Sequence, residues 1–549
     1  MSTEHSAAAK ALYDRIGAGG FAIALSGGGH RATLATLGAL MAIVDRRLGP
    51  KIVQIASVSG GSITNAFVAQ RCRLDELGPG QLDEIAGELT SLIVQKGVLT
   101  RNWIAGLVLA PVALGAVTGS ILRLSVLTTC LAVWVGIVVF CLALITAFIG
   151  NGLLVEWLIN RRYFQYSSSN QSRVTHAQLA SLSGRSIDHV FCMTDLVLGL
   201  PLYASSQHGG MIWRRLRPEP RGHISFAAQE FQTFNAGRVS IASIVRASAA
   251  FPGIAPRRMR LPPDPAIDLV AELPRVAFLS DGGLWNNLGS HVLREDGFIG
   301  TYATWENGVL RPFDLRGAAS EMPLLCINGS APLRPTESWV FQIPGVALIK
   351  SLLQVTTILN ANTVLPRVQN IRRAFDRRTW SGRRPDSYDP PDVIVDLRPY
   401  EEIARDYYGG IWSEELIRKS DRSVKEWEES RLIDVRLALK SPDADWLGAI
   451  LRTQPEPRGS FPVPGLANME DWDALRSFPA WKRLVEEEAS SSIDAPTTLD
   501  RIEPGLARRL IARGYLNAYL VSLFLAPLVD GELDRLAQLP DRLDKIVAS

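Results

Sequence analysis

Apolar residues along this chain fall into short continuous runs and longer periodic ones, and their alternation predicts an α/β fold. Residues 21–25 (FAIAL) are a continuous apolar run short enough for a buried strand. A helical pattern follows at Leu34, Leu37, Leu40, Met41 and Val44. Ile52, Val53 and Ile55 open a second strand-like run, and an apolar-periodic helix extends from there to Gln70. Further short runs at 190–194, 276–279, 323–327 and 392–397 read as strands. Residues 239–256 read as a small-residue helix stopped by Pro252. The stretches 453–464 and 486–496 read as linkers, and 515–525 reads as a short core helix. The expectation is a mostly parallel central sheet covered by helices.

Each of the first two strand-helix units turns on small residues. The first runs into Ser26, Gly27, Gly28, Gly29, His30, Arg31 and Ala32, the second into Ser57, Val58, Ser59, Gly60 and Gly61. In a parallel sheet both turns open onto the same edge, where α/β proteins place their sites. The glycine turn formally satisfies the G-x-G-x-x-A dinucleotide fingerprint, which requires an acidic residue at the end of the second strand. That position carries serines, so an oxyanion hole of glycine amides is the better reading. Ser59 has the layout of a nucleophile elbow, a serine exposed between strand and helix. The layout departs from Gly-x-Ser-x-Gly in one respect, because Ser57 stands at the first glycine position.

Between residues 103 and 155 the pattern changes to two long uncharged stretches, 103–122 and 124–155, separated by Arg123. Each is long enough to cross about 30 Å of hydrocarbon. Lys96 and Arg101 precede the pair, and Arg161 and Arg162 follow it. Basic flanks on both sides predict a helical hairpin with both ends cytoplasmic. A monotopic hairpin dipping into one leaflet is the rival reading. Outside this segment the composition is globular, at 47% apolar and 21% charged, and the formal charge of +3 gives no reason to expect nucleic acid. The five cysteines are widely spaced without a Cys-x-x-Cys pattern, so no metal or other cofactor is expected.

A serine nucleophile needs a base. Of the seven histidines only His30, inside the glycine turn, and His291 fall near a motif, and neither is well placed. Asp281 ends the 276–279 strand and is followed by Gly282 and Gly283, which permit a sharp turn. Four segments, SGGGHRA at 26–32, SVSGGS at 57–62, RASAAFPGIAP at 246–256 and DGGLWNN at 281–287, stand in an order that resembles the patatin-like phospholipases. The SGGGxR form of the turn is also similar to the related cytosolic phospholipase A enzymes. The resemblance covers roughly residues 20–100 and 165–330, with a piece near the C-terminus.

That resemblance implies a three-layer α/β/α fold and a Ser-Asp dyad without histidine. Ser59 would attack an acyl ester carbonyl with Asp281 as base. Amides of Gly27, Gly28, Gly29 and Gly60 would hold the oxyanion, and Arg31 would either contact a lipid phosphate or cap and pack. The implied organisation is a first catalytic segment at 1–100, a membrane hairpin at 101–163, a second catalytic segment at 164–335 and a helical and loop C-terminal extension at 336–549. Because Ser59 and Asp281 must meet, the hairpin between them has to return to the side it left. The expected partners are a lipid substrate and the bilayer, with the catalytic domain on the cytoplasmic side of the membrane. The alternative is an inactive scaffold or lipid-binding protein, suggested by Ser57.

Overall fold

The computed structural model describes residues 20–98, 154–164, 174–182, 187–197, 200–206, 209–215, 229–234, 239–250, 256–260, 276–290, 302–306, 309–313, 324–330, 393–397, 474–475, 478–489, 499–523, 525, 528 and 531–549. Their centre is a mixed sheet. β1 (Phe21–Leu25), β2 (Ile52–Ser57) and β3 (Asp188–Asp195) run parallel, and β4 (Leu200–Ser205), β5 (Gly209–Arg215) and β6 (Gln229–Phe234) extend the sheet antiparallel beyond β3. β7 (Arg257–Arg260) pairs with β8 (Val276–Asp281), and β9 (Tyr302–Glu306) with β10 (Val309–Phe313). On the other side of β1 lie β11 (Leu324–Asn328) and β12 (Val393–Asp396), both parallel to it. The parallel sheet expected from the apolar runs is thus the five adjoining strands from β12 to β3, at one end of the sheet.

The register of β3 positions the site. One edge of β3 pairs with β4 from Val190 to Asp195. Its other edge pairs with β2 up to Ser57↔Phe191, and then with β8 from Met193↔Asp281. β8 therefore enters above the end of β2, in the gap left where the chain turns away at Val58. This brings Asp281 to the level of Ser59, although 222 positions separate them in sequence.

Two helices leave this edge. α1 (Gly29–Asp45) follows β1, and α2 (Gly60–Arg71) follows β2. They interlock near their N-termini, where the Thr64 hydroxyl donates to the Thr33 carbonyl at 2.8 Å and lies 2.9 Å from the Thr36 hydroxyl. Every residue of α1 is buried, because its outer face is covered by α5 (Pro504–Ser522), numbered after α3 (Asp83–Ser91) and α4 (Ile241–Ser248). The two backbones approach closely at paired glycines. A side chain on Gly38 would strike the Ile511 carbonyl, and one on Gly514 the Ala35 carbonyl.

Beyond that crossing, Asp45 at the end of α1 accepts from the Tyr515 hydroxyl and from Arg542, both at 2.7 Å, and from the Gly80 amide at 2.8 Å. Arg542 lies on α6 (Leu539–Ala548) and forks onto both oxygens of Asp83 at 2.7 Å. Residues beyond 336 thus complete the core, with β12 on the sheet and α5 over α1. The run at 515–525 lies in α5 as far as Ser522 and is buried there, and the expected linker at 486–496 begins as a helical turn, Val485–Ala489.

Residues 101–153 of the expected hairpin lie outside the described residues. Among the described residues, no helix is long and apolar enough to cross a membrane. The two roots of the segment are described. The Val98 amide donates to the Leu499 carbonyl at 2.8 Å, and on the return side Tyr163 and Phe164 are buried. Trp157 is half exposed, with the Arg161 guanidinium 5.0 Å above its ring.

Candidate active site

The two turns meet at the sheet edge. Ser59 is the N-cap of α2, with φ 50° and ψ −116°. A side chain other than glycine rarely adopts positive φ, and holding one there costs on the order of 1–3 kcal/mol. The surrounding backbone restrains it. The Gly61 amide donates to the Val58 carbonyl at 2.9 Å and the Ser26 carbonyl at 3.2 Å, while the Val58 amide donates to the Leu25 carbonyl at 3.0 Å. The Ser59 amide donates to the Ser248 hydroxyl at 3.0 Å.

The Ser59 hydroxyl lies close enough to the Asp281 carboxylate to pull its pKa down. Asp281 Oδ1 accepts from the Gly283 amide at 2.7 Å, closing the tight turn that follows β8. Burial pushes the Asp281 carboxyl up to about 6, against the opposing pull of the Gly283 amide and the Ser59 hydroxyl. A carboxylate of that basicity is matched to accepting a proton near neutral pH. The structure thus brings together Ser59 and Asp281.

The glycine turn carries the other expected donors. Gly28 has φ 145° and Gly29 has φ 61°, conformations that favour glycine, and a Cβ on Gly28 would lie 2.7 Å from the Gly329 carbonyl. Gly60 packs directly on the Gly29 backbone, and the Thr33 hydroxyl lies 3.1 and 3.0 Å from the Gly29 and Gly60 carbonyls. Among the described residues, the amides of Gly28, Gly29 and Gly60 have no acceptor. They open at the N-termini of α1 and α2, where two helix dipoles favour an anion. Gly27 corrects the sequence expectation. Its amide donates to the Asn287 carbonyl at 2.8 Å, so it is committed to holding the turn in place.

Arg31 is buried, and its Nε donates to the Gly329 carbonyl at 2.8 Å, which fits the packing alternative and not contact with a lipid phosphate. His30 is not a base for Ser59. Its Nδ1 lies 2.7 Å from the Asp500 carbonyl and its Nε2 2.9 Å from the Tyr163 hydroxyl. Burial lowers its pKa to about 4. His291 lies outside the described residues. Among the described residues, no cluster of histidine, cysteine or acidic side chains has the grouping of a metal site.

Ser57, the departure from the glycine pattern, is buried with its hydroxyl fully engaged. It donates to the Val190 carbonyl at 3.1 Å and accepts from Asn65 Nδ2 at 2.9 Å, with Ser62 at 3.2 Å. Asn65 in turn meets His189 Nδ1 at 2.6 Å. A serine at this position is therefore part of the support beneath the elbow.

Three contributors went unassigned in the sequence. Ser248 holds the Ser59 amide. Asn287 holds Gly27 through its carbonyl and Ser330 through its side chain, at 2.7 Å. Ser26 Oγ accepts from the Gly329 amide at 2.6 Å and ties the glycine turn to the end of β11. The segments containing Ser248 and Asn287 are part of the four-motif order, but their roles depend on hydrogen bonds that spacing does not reveal.

Neither a family model nor a curated protein sequence matches this chain. Among solved structures it is similar to human GIVD cytosolic phospholipase A2, at 12% identity and a TM-score of 0.31 over 64% of this chain and 49% of that one. It is also similar to VipD from Legionella pneumophila, at 13% identity and a TM-score of 0.25 over 94% and 93% of the two chains. The chain spans about half the length of the first of these.

Proposed function

We propose that this protein is a membrane-associated serine lipid acyl hydrolase, built on a patatin-like three-layer α/β/α fold. The observation that carries the reading is a serine held at positive φ between a strand and a helix, beside a buried carboxylate whose pKa is raised to about 6. Strain of this kind persists where a side chain must be presented at a fixed angle. Unengaged amides beside it supply what acyl transfer requires next.

In the proposed reaction, Ser59 Oγ attacks the ester carbonyl carbon while its proton passes to Asp281. The amides of Gly28, Gly29 and Gly60 receive the oxyanion, each worth on the order of 3 kcal/mol in the barrier. On collapse the bond to the leaving oxygen breaks, and Asp281 returns the proton to the departing alcohol. Water then attacks the acyl-enzyme by the same route, with Asp281 again taking and returning a proton. The uncharged stretches at 103–122 and 124–155, with basic residues at both roots, support an embedded hairpin that keeps the catalytic domain on the cytoplasmic face. Such an anchor would present bilayer lipid to the site at high local concentration.

A fluorophosphonate probe on the detergent-solubilised full chain tests this. We expect labelling of the wild type and none of Ser59→Ala, together with loss of ester hydrolysis in that variant. A folded wild-type chain that neither takes the probe nor hydrolyses any ester of a lipid panel would leave the scaffold or lipid-binding alternative.

A further inference from the structure

We infer that Ser248 is a positioning residue for the dyad: the end of α4 grips the backbone on both sides of the reacting pair and fixes Ser59 against Asp281. The inference rests on the acyl-hydrolase reading and extends it to a residue that touches no reacting atom.

The grip comes from Ser248 and Ala250, two residues apart at the end of α4. Ser248 Oγ accepts from the Ser59 amide at 3.0 Å. The Ser248 carbonyl accepts from the Gly282 amide at 3.4 Å, and the Ala250 carbonyl accepts from the Asp281 amide at 3.2 Å. Ala250 also accepts from the Ser280 hydroxyl at 2.7 Å. Ser59 follows β2 and Asp281 ends β8, and this short segment bonds directly to the main chain of each.

The hydroxyl of Ser248 has no spare capacity. Its proton goes to the Cys192 carbonyl at 2.7 Å and its oxygen accepts from the Ser59 amide, while the Ser62 hydroxyl, whose single proton is shared with Ser57, lies 2.8 Å away. Cys192 belongs to β3, the strand that pairs with both β2 and β8. The orientation of the Ser248 oxygen is therefore set by the same strand that sets the register of the dyad. Ser248 is fully buried, so water does not replace this acceptor. Without it, nothing described here accepts from the Ser59 amide. The backbone at Ser59 is then free to relax from φ 50° towards an ordinary value, which swings Oγ away from Asp281.

Geometry of this kind is worth a great deal to a reaction, since misplacing a reacting group by about 1 Å lowers rates by about 100-fold. The experiment is steady-state hydrolysis of p-nitrophenyl butyrate by the full chain in detergent, with far-UV circular dichroism and thermal melts as fold controls. For Ser248→Ala we expect kcat to fall about 100-fold with KM unchanged. The acid limb of the pH profile should move to higher pH, because the Ser59 hydroxyl that lowers the Asp281 pKa moves away from it. Ser248→Thr, which keeps the oxygen, should recover most of kcat. Ser62→Ala, which removes a neighbour of Ser248 but leaves the bond to Ser59, should stay within about threefold of wild type.

Should the alanine variant fail to fold, Ser248→Cys fills the space with a poor acceptor and is read in the same way. A folded Ser248 variant with wild-type kcat and an unmoved acid limb overturns the inference while leaving the acyl-hydrolase reading intact. So does a loss in Ser62→Ala as large as that in Ser248→Ala, which would assign the effect to general packing. A wild-type chain without hydrolysis or probe labelling overturns both readings together.

Discussion

Replacing Asp281 by asparagine should abolish hydrolysis and stabilise the fold, with a pH dependence that identifies the cause. Asp281 is 4% exposed, and burial raises its pKa from an ordinary value of 3.8 to about 6. A carboxyl whose pKa rises on folding is held more tightly as the neutral acid. Its contribution to stability is therefore fully present below pH 3.8 and is lost as pH climbs through about 6. The shift of about 2 pKa units corresponds to about 3 kcal/mol at 1.36 kcal/mol per unit, the cost of keeping Asp281 ionised at neutral pH. Asparagine retains Oδ1 as an acceptor for the Gly283 amide and presents an NH2 to Ser59 without a charge. Equilibrium urea unfolding of wild type and Asp281→Asn in the same detergent, at pH 4 to 8, measures the difference. The variant should gain little at pH 4 and become the more stable by about 3 kcal/mol at pH 8, with the gap opening between those limits. A gap that does not vary with pH, or a variant less stable than wild type at pH 8, would refute the assignment of Asp281 as a buried base kept ionised at a cost.

Three further substitutions test other parts of the site and its support. Gly28→Ala meets both the φ of 145° and the Gly329 carbonyl, so ester hydrolysis should fall at least about 100-fold as the oxyanion turn is displaced. Ser57→Gly restores the usual elbow pattern yet strips partners from Val190, Asn65 and Ser62. Denaturant unfolding should show a loss of about 1–2 kcal/mol, with no gain in kcat. Gly514→Ala drives a methyl group into the Ala35 carbonyl where α5 crosses α1. A loss of about 1–3 kcal/mol in the same assay is expected, and an unchanged midpoint would contradict the close crossing.

How far the sequence disclosed this arrangement depends on what kind of interaction carries each part. The two strand-turn-helix units were legible because local rules govern them: apolar runs set β1 and β2, and glycines mark where the backbone must turn sharply. A parallel sheet then puts both turns on one edge, so the meeting of the Gly28 turn with Ser59 follows from topology. Asp281 was legible as a strand end followed by glycines, but not the route by which it arrives. That route depends on β8 pairing antiparallel with the upper half of β3, a non-local register that no run of residues encodes. The same limit hid β4 to β6, whose antiparallel flank is set by pairing with β3.

Side-chain roles were hidden for a related reason. Ser57, read as a flaw in the elbow, was judged against a local pattern, whereas its hydroxyl is satisfied by β3 and α2. Ser248 and Asn287 act on backbone amides of Ser59 and Gly27, and such bonds leave no mark in residue spacing. Gly27, placed in the oxyanion hole by its position in the turn, is withdrawn from it by one carbonyl that arrives from beyond β8. The pattern is consistent: a turn's conformation is written in its own residues, while the assignment of each amide to structure or to chemistry is decided by the strands that come to lie beside it. If the site is an acyl hydrolase as proposed, its chemistry falls to the amides that no neighbouring strand has claimed, and the Gly28 turn, rather than the Gly27 position, is where substitution should bear most directly on the reaction.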